Sequence, residues 1–223
     1  MNKVTKLYKA LKEGLIDLNG SHDIHTPYSL VNETLSNIPL NGNILVMFNI
    51  EFVISLVYNY NVAPDRITFY SDHINKTRIA EHLGVNKYIT TLGTNMKFDV
   101  VVGNPPYKQG LWRTLMKQAL EISNRYVVMI SPDGTIKTST KYDEMKSLLE
   151  EGGIQSVTPC QKFFEDEGVD VITSSEICYY VFDKSKLANQ KVFNKTLTKE
   201  EQLTLNIISK IKSLAQAYGT LTE

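Results

Sequence analysis

Apolar residues along this chain fall into short blocks whose spacing changes from helical to strand-like and back. Val4, Leu7, Leu11, Leu15 and Leu18 recur at helical spacing before the stop signal Asn19-Gly20, which predicts a helix over residues 3–18. His25-Thr26-Pro27 then offers Thr as an N-cap and Pro at the first helical position, ahead of Leu30, Val31, Leu35 and Ile38 on one face. Pro39 closes this second helix. From Ile44 the pattern alternates. Ile44 to Phe48 is a continuous apolar run suited to a strand buried on both faces, and Ile50 to Tyr60 suits a buried helix. Ile67 to Tyr70 is a second strand ending at Ser71-Asp72, and Asn75 to Leu83 is its helix, stopped by Gly84. Phe98 to Val102 is a third strand running into Gly103-Asn104-Pro105-Pro106-Tyr107, with a helix over Leu111 to Ile122. Tyr126 to Ile130 is a fourth strand, and Tyr142 to Glu150 a helix ended by Gly152-Gly153.

Repeated strand–helix alternation predicts an α/β domain built on a mainly parallel, doubly wound sheet with helices on both faces. The segment from Val157 to Asp183 departs from it. Ile177 to Phe182 is a strong strand with no helix between it and the extended Val169 to Thr173, so an antiparallel hairpin at one sheet edge is expected. Thr198-Lys199-Glu200-Glu201 reads as a capping box before Leu203, Ile207, Ile208, Ile211 and Leu214, predicting a helix over 198–217. The expected organisation is an N-terminal helix in residues 1–20, a main domain in 21–185 and a helical extension in 186–223. In such sheets ligands sit outside the carboxyl ends of the strands. The chemically unusual residues cluster there: Asn49 and Glu51, Asp72, Asn104 to Tyr107, and Ser131-Pro132-Asp133.

Composition narrows the function classes. The 223 residues, 42% of them hydrophobic, are enough for one large domain with a real core. Basic and acidic residues balance at 24 each, so any contact with nucleic acid has to come from a local basic face rather than from net charge. No apolar run is long enough to span a bilayer, the start is amphipathic, and Cys160 and Cys178 form no CxxC pair; a cytoplasmic protein is expected. His22, His25, His73 and His82 lie outside any metal-binding spacing, so no metal is predicted. Neither a Walker A loop nor a GxSxG elbow is present, which argues against phosphate-cleaving and serine-hydrolase chemistry.

Asn104-Pro105-Pro106-Tyr107 is the most informative stretch. Two prolines that simply stiffen a strand-to-helix loop explain part of it. The chemical reading explains all four residues. An exocyclic amine or an amide nitrogen is a poor nucleophile because its lone pair is delocalised. The Asn104 side-chain carbonyl and the Pro105 backbone carbonyl can each accept one of its N–H hydrogens, which localises the lone pair and aims it. The prolines hold that backbone still, and Tyr107 offers a face on which a planar base can stack.

Phe98 to Tyr107, FDVVVGNPPY, resembles the catalytic motif and preceding strand of amino-group methyltransferases that use S-adenosylmethionine, above all the N6-adenine DNA methyltransferases. His25 to Val31 resembles the TPxxLV element of their restriction-modification branch, and 169–180 their late hairpin. The order of motifs is that of the gamma arrangement. The resemblance implies a Rossmann-like class I S-adenosylmethionine-dependent methyltransferase fold. It implies S-adenosylmethionine as cofactor, held by Thr26, Pro27, Phe48, Asn49, Glu51 and Asp72, with Asn104, Pro105, Pro106 and Tyr107 as the catalytic set. A flipped adenine would stack on Tyr107 and Phe164, with double-stranded DNA as partner. Only about 40 residues follow the hairpin, so specificity is low, or a partner subunit or a homodimer supplies it, or the chain is a piece of a longer one. One departure stands out: the relatives carry a glycine-rich loop after the first strand, and Leu45 to Phe52 contains no glycine. Asp72 and Glu51 also have plain readings, as an N-cap and as a helix-start carboxylate. Two other functions fit the motifs: a relative of the fold that no longer uses cofactor, and methylation of a protein glutamine amide.

Overall fold

The computed structural model describes residues 3–13, 25–107, 110–132, 142–169, 171 and 176–193. The chain divides into two compact units, Met1–Asn189 and Gln190–Glu223. Of the second, a single 3-10 turn, Gln190–Phe193, is described; the helix predicted over 198–217 lies outside the described residues, as does the predicted first helix beyond residue 13.

The first unit runs α1 (Lys3–Lys12), α2 (Tyr28–Ser36), β1 (Ile44–Met47), α3 (Ile50–Tyr58), β2 (Ile67–Tyr70), α4 (Ile74–His82), β3 (Lys87–Ile89), β4 (Phe98–Gly103), α5 (Leu111–Ile122), β5 (Ser123–Pro132), α6 (Tyr142–Glu151), β6 (Ile154–Pro159), α7 (Gln161–Asp166) and β7 (Ile177–Asp183). The seven strands form one sheet in the order β3-β2-β1-β4-β5-β7-β6. β1 pairs in parallel with β2 and β4, β2 with β3, and β4 with β5, while β7 is antiparallel to both β5 and β6. This is the doubly wound sheet with an antiparallel edge that the pattern predicts. β1 and β4 lie at its centre, and their apolar runs are buried because helices cover both faces.

The antiparallel edge is built differently from the expectation. Val169 and Val171 belong to no strand; the partner of β7 is β6, which follows α6 directly after Gly152-Gly153. Ile154, at its start, is buried, but the rest alternates weakly and the glycines read only as a helix stop. Gly153 has φ +68 and sits where a Cβ would meet the Asp183 carbonyl oxygen at 2.5 Å, so the turn places β6 against the end of β7. β3 escapes the pattern because its three residues are largely exposed and carry no apolar run. Pro27, not Thr26, takes the N-cap position of α2, and it supplies no side-chain cap.

The chain climbs β1, β2 and β3 on one side, then returns to β4 on the other, so the order reverses between β1 and β4. Loops leaving these two strands diverge, and the crevice between them is where such folds bind ligands. Met47 and Gly103, the last residues of the two strands, are register partners. A Cβ on Gly103 would lie 2.6 Å from the Met47 carbonyl oxygen and 2.9 Å from its Cβ. Gly103→Ala is therefore expected to force the two strand ends apart and to lower stability by about 1–3 kcal/mol. Thermal unfolding checks this: a Tm drop of roughly 2–10 °C is expected, and an unchanged Tm would show that the strand ends yield without cost.

Candidate functional site

The loop after β1 makes a left-handed turn without glycine. Phe48 adopts φ +70, a left-handed conformation that costs a bulky residue about 1–3 kcal/mol. Three groups hold it there. Its N–H donates to the Tyr70 carbonyl at the end of β2 (2.8 Å), and its ring tilts against the Tyr70 ring at 4.8 Å. The Lys76 ammonium, on α4 and only 3% exposed, donates to its carbonyl oxygen at 3.1 Å. The Asn49 N–H then turns back to the Met47 carbonyl at 2.9 Å. Lys76 is a residue that sequence reasoning misses: α4 has a polar sequence with no apolar stripe to mark which side chains turn inward. The one available signal was the missing glycine, since a left-handed turn without glycine needs partners from elsewhere.

Glu51 stands in the first turn of α3 and is buried. Its Oε1 lies 2.7 Å from His25 Nδ1 and accepts the Thr26 N–H at 3.2 Å. Burial pushes this carboxyl up, but the hydrogen bond and charge of His25 and the positive Lys76 outweigh it, so it sits below its ordinary value of 4.5. The backbone carbonyl of Glu51 accepts the Tyr8 hydroxyl at 2.6 Å, which ties α1 to the same spot. Glu51 thus draws α1, α3 and the segment before α2 together. Asp72 behaves otherwise. It is exposed at the end of β2; it is not the cap of α4, whose N-cap position is His73, where the Ser71 hydroxyl accepts the His73 N–H at 3.1 Å. Burial and then the charge of Asp72 raise the Tyr70 phenol.

Asn104 leaves β4 with no exposed surface. Its N–H donates to Asn49 Oδ1 at 2.9 Å, bridging the two loops across the switch point. Its Nδ2 donates to Thr26 Oγ1 at 3.2 Å, and its Oδ1 accepts the Tyr107 hydroxyl at 2.6 Å. Pro105 and Pro106 are buried beside it. Tyr107 is half-buried; desolvation, then the neighbouring Cys160 thiol, push its phenol well up, so it stays a neutral donor. The structure thus gathers Thr26, Asn49, Glu51, Phe48 and Asn104–Tyr107 into one connected group. It does not add Phe164, which is fully buried in the main core and presents no face to a base. Trp112 is likewise a core residue, with the Arg113 guanidinium 4.9 Å over its ring.

No protein-family description and no curated protein matches the sequence. Solved structures do match the fold. A protein assigned as an RNA methyltransferase from Pyrococcus horikoshii is 19% identical, with a TM-score of 0.53 over 82% of this chain and 98% of that one. A protein assigned to the class I S-adenosylmethionine-dependent methyltransferases from Listeria monocytogenes is 12% identical, with a TM-score of 0.53 over 93% and 77%. A modification subunit assigned to a type I restriction enzyme of Vibrio vulnificus is 12% identical, with a TM-score of 0.54 over 85% of this chain and 51% of the subunit, so the chain spans about half of its length. The fold is that of the class I S-adenosylmethionine-dependent methyltransferases.

The lowered carboxyl of Glu51 sets a pH dependence. Folding stability that depends on its charge is present above 4.5 and is lost as the pH falls below that value toward the folded-state value. Glu51→Gln is expected to destabilise the protein by about 1–3 kcal/mol at neutral pH and by progressively less as the pH is taken below 4.5. Denaturant unfolding of both proteins across this pH range checks this; a difference that stays constant would show that the charge of Glu51 contributes nothing.

Proposed function

We propose that this chain is an S-adenosylmethionine-dependent methyltransferase that acts on the N6 amino group of an adenine in double-stranded DNA. One observation carries the reading. Asn104 is held at the switch point with its amide oriented by partners on both sides and its carbonyl oxygen on the Tyr107 side. Further support comes from the fold and from its likeness to a restriction-enzyme modification subunit.

The residues fit the cofactor: the left-handed Phe48 supplies the turn that lets backbone approach a ligand, and Asp72 stands exposed at the end of β2, where a carboxylate can accept from a ribose diol. When bound, S-adenosylmethionine supplies a methyl group on a positively charged sulfur. Asn104 Oδ1 and the Pro105 carbonyl accept the two amino hydrogens of the target, and Tyr107 stacks on the base, which has to leave the duplex to reach them. A carbonyl oxygen has two lone pairs, so the bond from the Tyr107 hydroxyl leaves Asn104 Oδ1 one acceptor position. No strong base is needed, because the nitrogen sheds its proton as it becomes positively charged. In this reading target choice falls to a partner subunit or to a second copy, which the likeness to a modification subunit supports.

A second reading, a subunit of this fold that transfers no methyl group, draws on Glu51, whose Oε1 is already engaged by His25 and Thr26. Radiolabel transfer to adenine-containing DNA separates the two. Wild type is expected to be active, Asn104→Ala to lose about 10²–10³-fold in kcat, and Tyr107→Phe to stay within about tenfold because the stacking face remains. Asn104→Ala activity within tenfold of wild type would overturn the assignment.

A further inference from the structure

Ser131, at the carboxyl end of β5, has no role in the chemistry assembled so far. It is fully buried, and its Oγ has no hydrogen-bond partner among the described residues. A buried hydroxyl without a bond is costly, and such groups are few in folded proteins. Two other buried side-chain atoms without a partner among the described residues lie at the same edge of the sheet: Arg113 Nε, in the first turn of α5, and Gln161 Oε1, at the start of α7. β6 is antiparallel to β7, and β7 to β5, so β6 ends on the side where β4 and β5 end and where the Asn104–Tyr107 loop begins. Unpaired donors and acceptors therefore gather at the edge where the proposed target sits.

Register locates Ser131 more closely. Met129 pairs with Gly103, so Ser131 stands two residues past that pair in β5, as Pro105 does after β4. On its other side Ser131 is the register partner of Cys178, and partners across an antiparallel pair turn their side chains to the same face. After burial, the Cys160 and Cys178 thiols are among the groups that raise the Tyr107 phenol, whose hydroxyl lies 2.6 Å from Asn104 Oδ1. Asn104 is covered as fully as Ser131, so a base that reaches the one has uncovered the neighbouring strand ends that carry both. We infer that the Ser131 hydroxyl contacts the target base and donates a hydrogen bond to a ring nitrogen flanking its amino group. The inference rests on the proposed amino-group transfer and narrows its substrate class. With the Asn104 and Pro105 carbonyls accepting both amino hydrogens, adenine offers one ring nitrogen on each side of that group, N1 and N7, and each is an acceptor. The Ser131 hydroxyl, with no competing partner among the described residues, turns to donate to one of them. A glutamine side-chain amide has no such nitrogen, so this contact favours a heteroaromatic amine over a protein amide.

The test measures radiolabel transfer by the full chain to adenine-containing DNA and to the same DNA with 1-deazaadenine or 7-deazaadenine in place of adenine. Wild type is expected to lose about tenfold or more in kcat/KM on one of the two deaza substrates, which identifies the nitrogen. Ser131→Ala is expected to lose about tenfold on adenine and to treat adenine and that deaza base alike within about threefold. Its S-adenosylmethionine dissociation constant is expected to stay within about threefold of wild type. Its Tm is expected not to fall, because the hydroxyl removed had no bond to lose. Ser131→Cys, whose thiol donates weakly, takes its place if the alanine variant does not fold. Three results would overturn the inference. In the first, wild type methylates all three substrates alike. In the second, Ser131→Ala keeps the wild-type kcat/KM on adenine. In the third, it loses activity yet still discriminates against the deaza base as wild type does, which makes Ser131 structural. Wild type inactive on every adenine-containing DNA would overturn the proposed transfer itself, and this inference with it.

Discussion

The site hangs on one hydrogen bond, from the Asn104 backbone N–H to the Asn49 side-chain oxygen. Asn49 occupies the N-cap position of α3, where its side chain would ordinarily accept a helical N–H; it makes no such cap and reaches across to the neighbouring loop instead. The two residues follow adjacent parallel strands whose last residues approach so closely that only glycine fits in β4. The reversal of strand order there opens a crevice, and the bond closes its base. Without it, Asn104 would sit on a loop free to drift by more than the tolerance of hydrogen-bond geometry, which a reaction depending on lone-pair direction cannot absorb.

From that bond outward, side chains hold a turn that contains no glycine. A left-handed residue is needed after β1, and Phe48 takes it at an energetic cost that a buried ammonium, a backbone bond to β2 and a tilted ring pair offset. Such strain persists only where surroundings over-determine it, and here Lys76, Tyr70 and Asn49 do so from three elements. This loop gathers a buried ammonium and two aromatic rings, and an exposed carboxylate follows the neighbouring strand β2.

Central strands and the helices between them were legible in the sequence because burial on both faces leaves continuous apolar runs: Ile44 to Met47 and Val100 to Val102 admit few other readings. The Asn104–Tyr107 loop was legible as a stiff strand-to-helix connection, because two prolines follow an apolar strand. What escaped has polar or short signals. β3 is three exposed residues, β6 is mostly half-buried, and the buried Lys76 lies in a helix that reads as fully solvated. Thr26 is not the cap of α2, and Phe164 lies in the core. A threonine before a proline resembles a cap, and an aromatic near a ligand crevice resembles a stacking wall, until tertiary contacts send one to Asn104 and the other into the core.

The account stands on the glycine-free loop forming a working cofactor crevice, with Asn104 fixed beside it. Calorimetric titration of the wild-type full chain with S-adenosylmethionine, and with S-adenosylhomocysteine as second ligand, tests that directly. The account predicts saturable one-site binding with a dissociation constant on the order of micromolar, near −8 kcal/mol. A protein shown to be folded that binds neither compound up to millimolar concentration would contradict it.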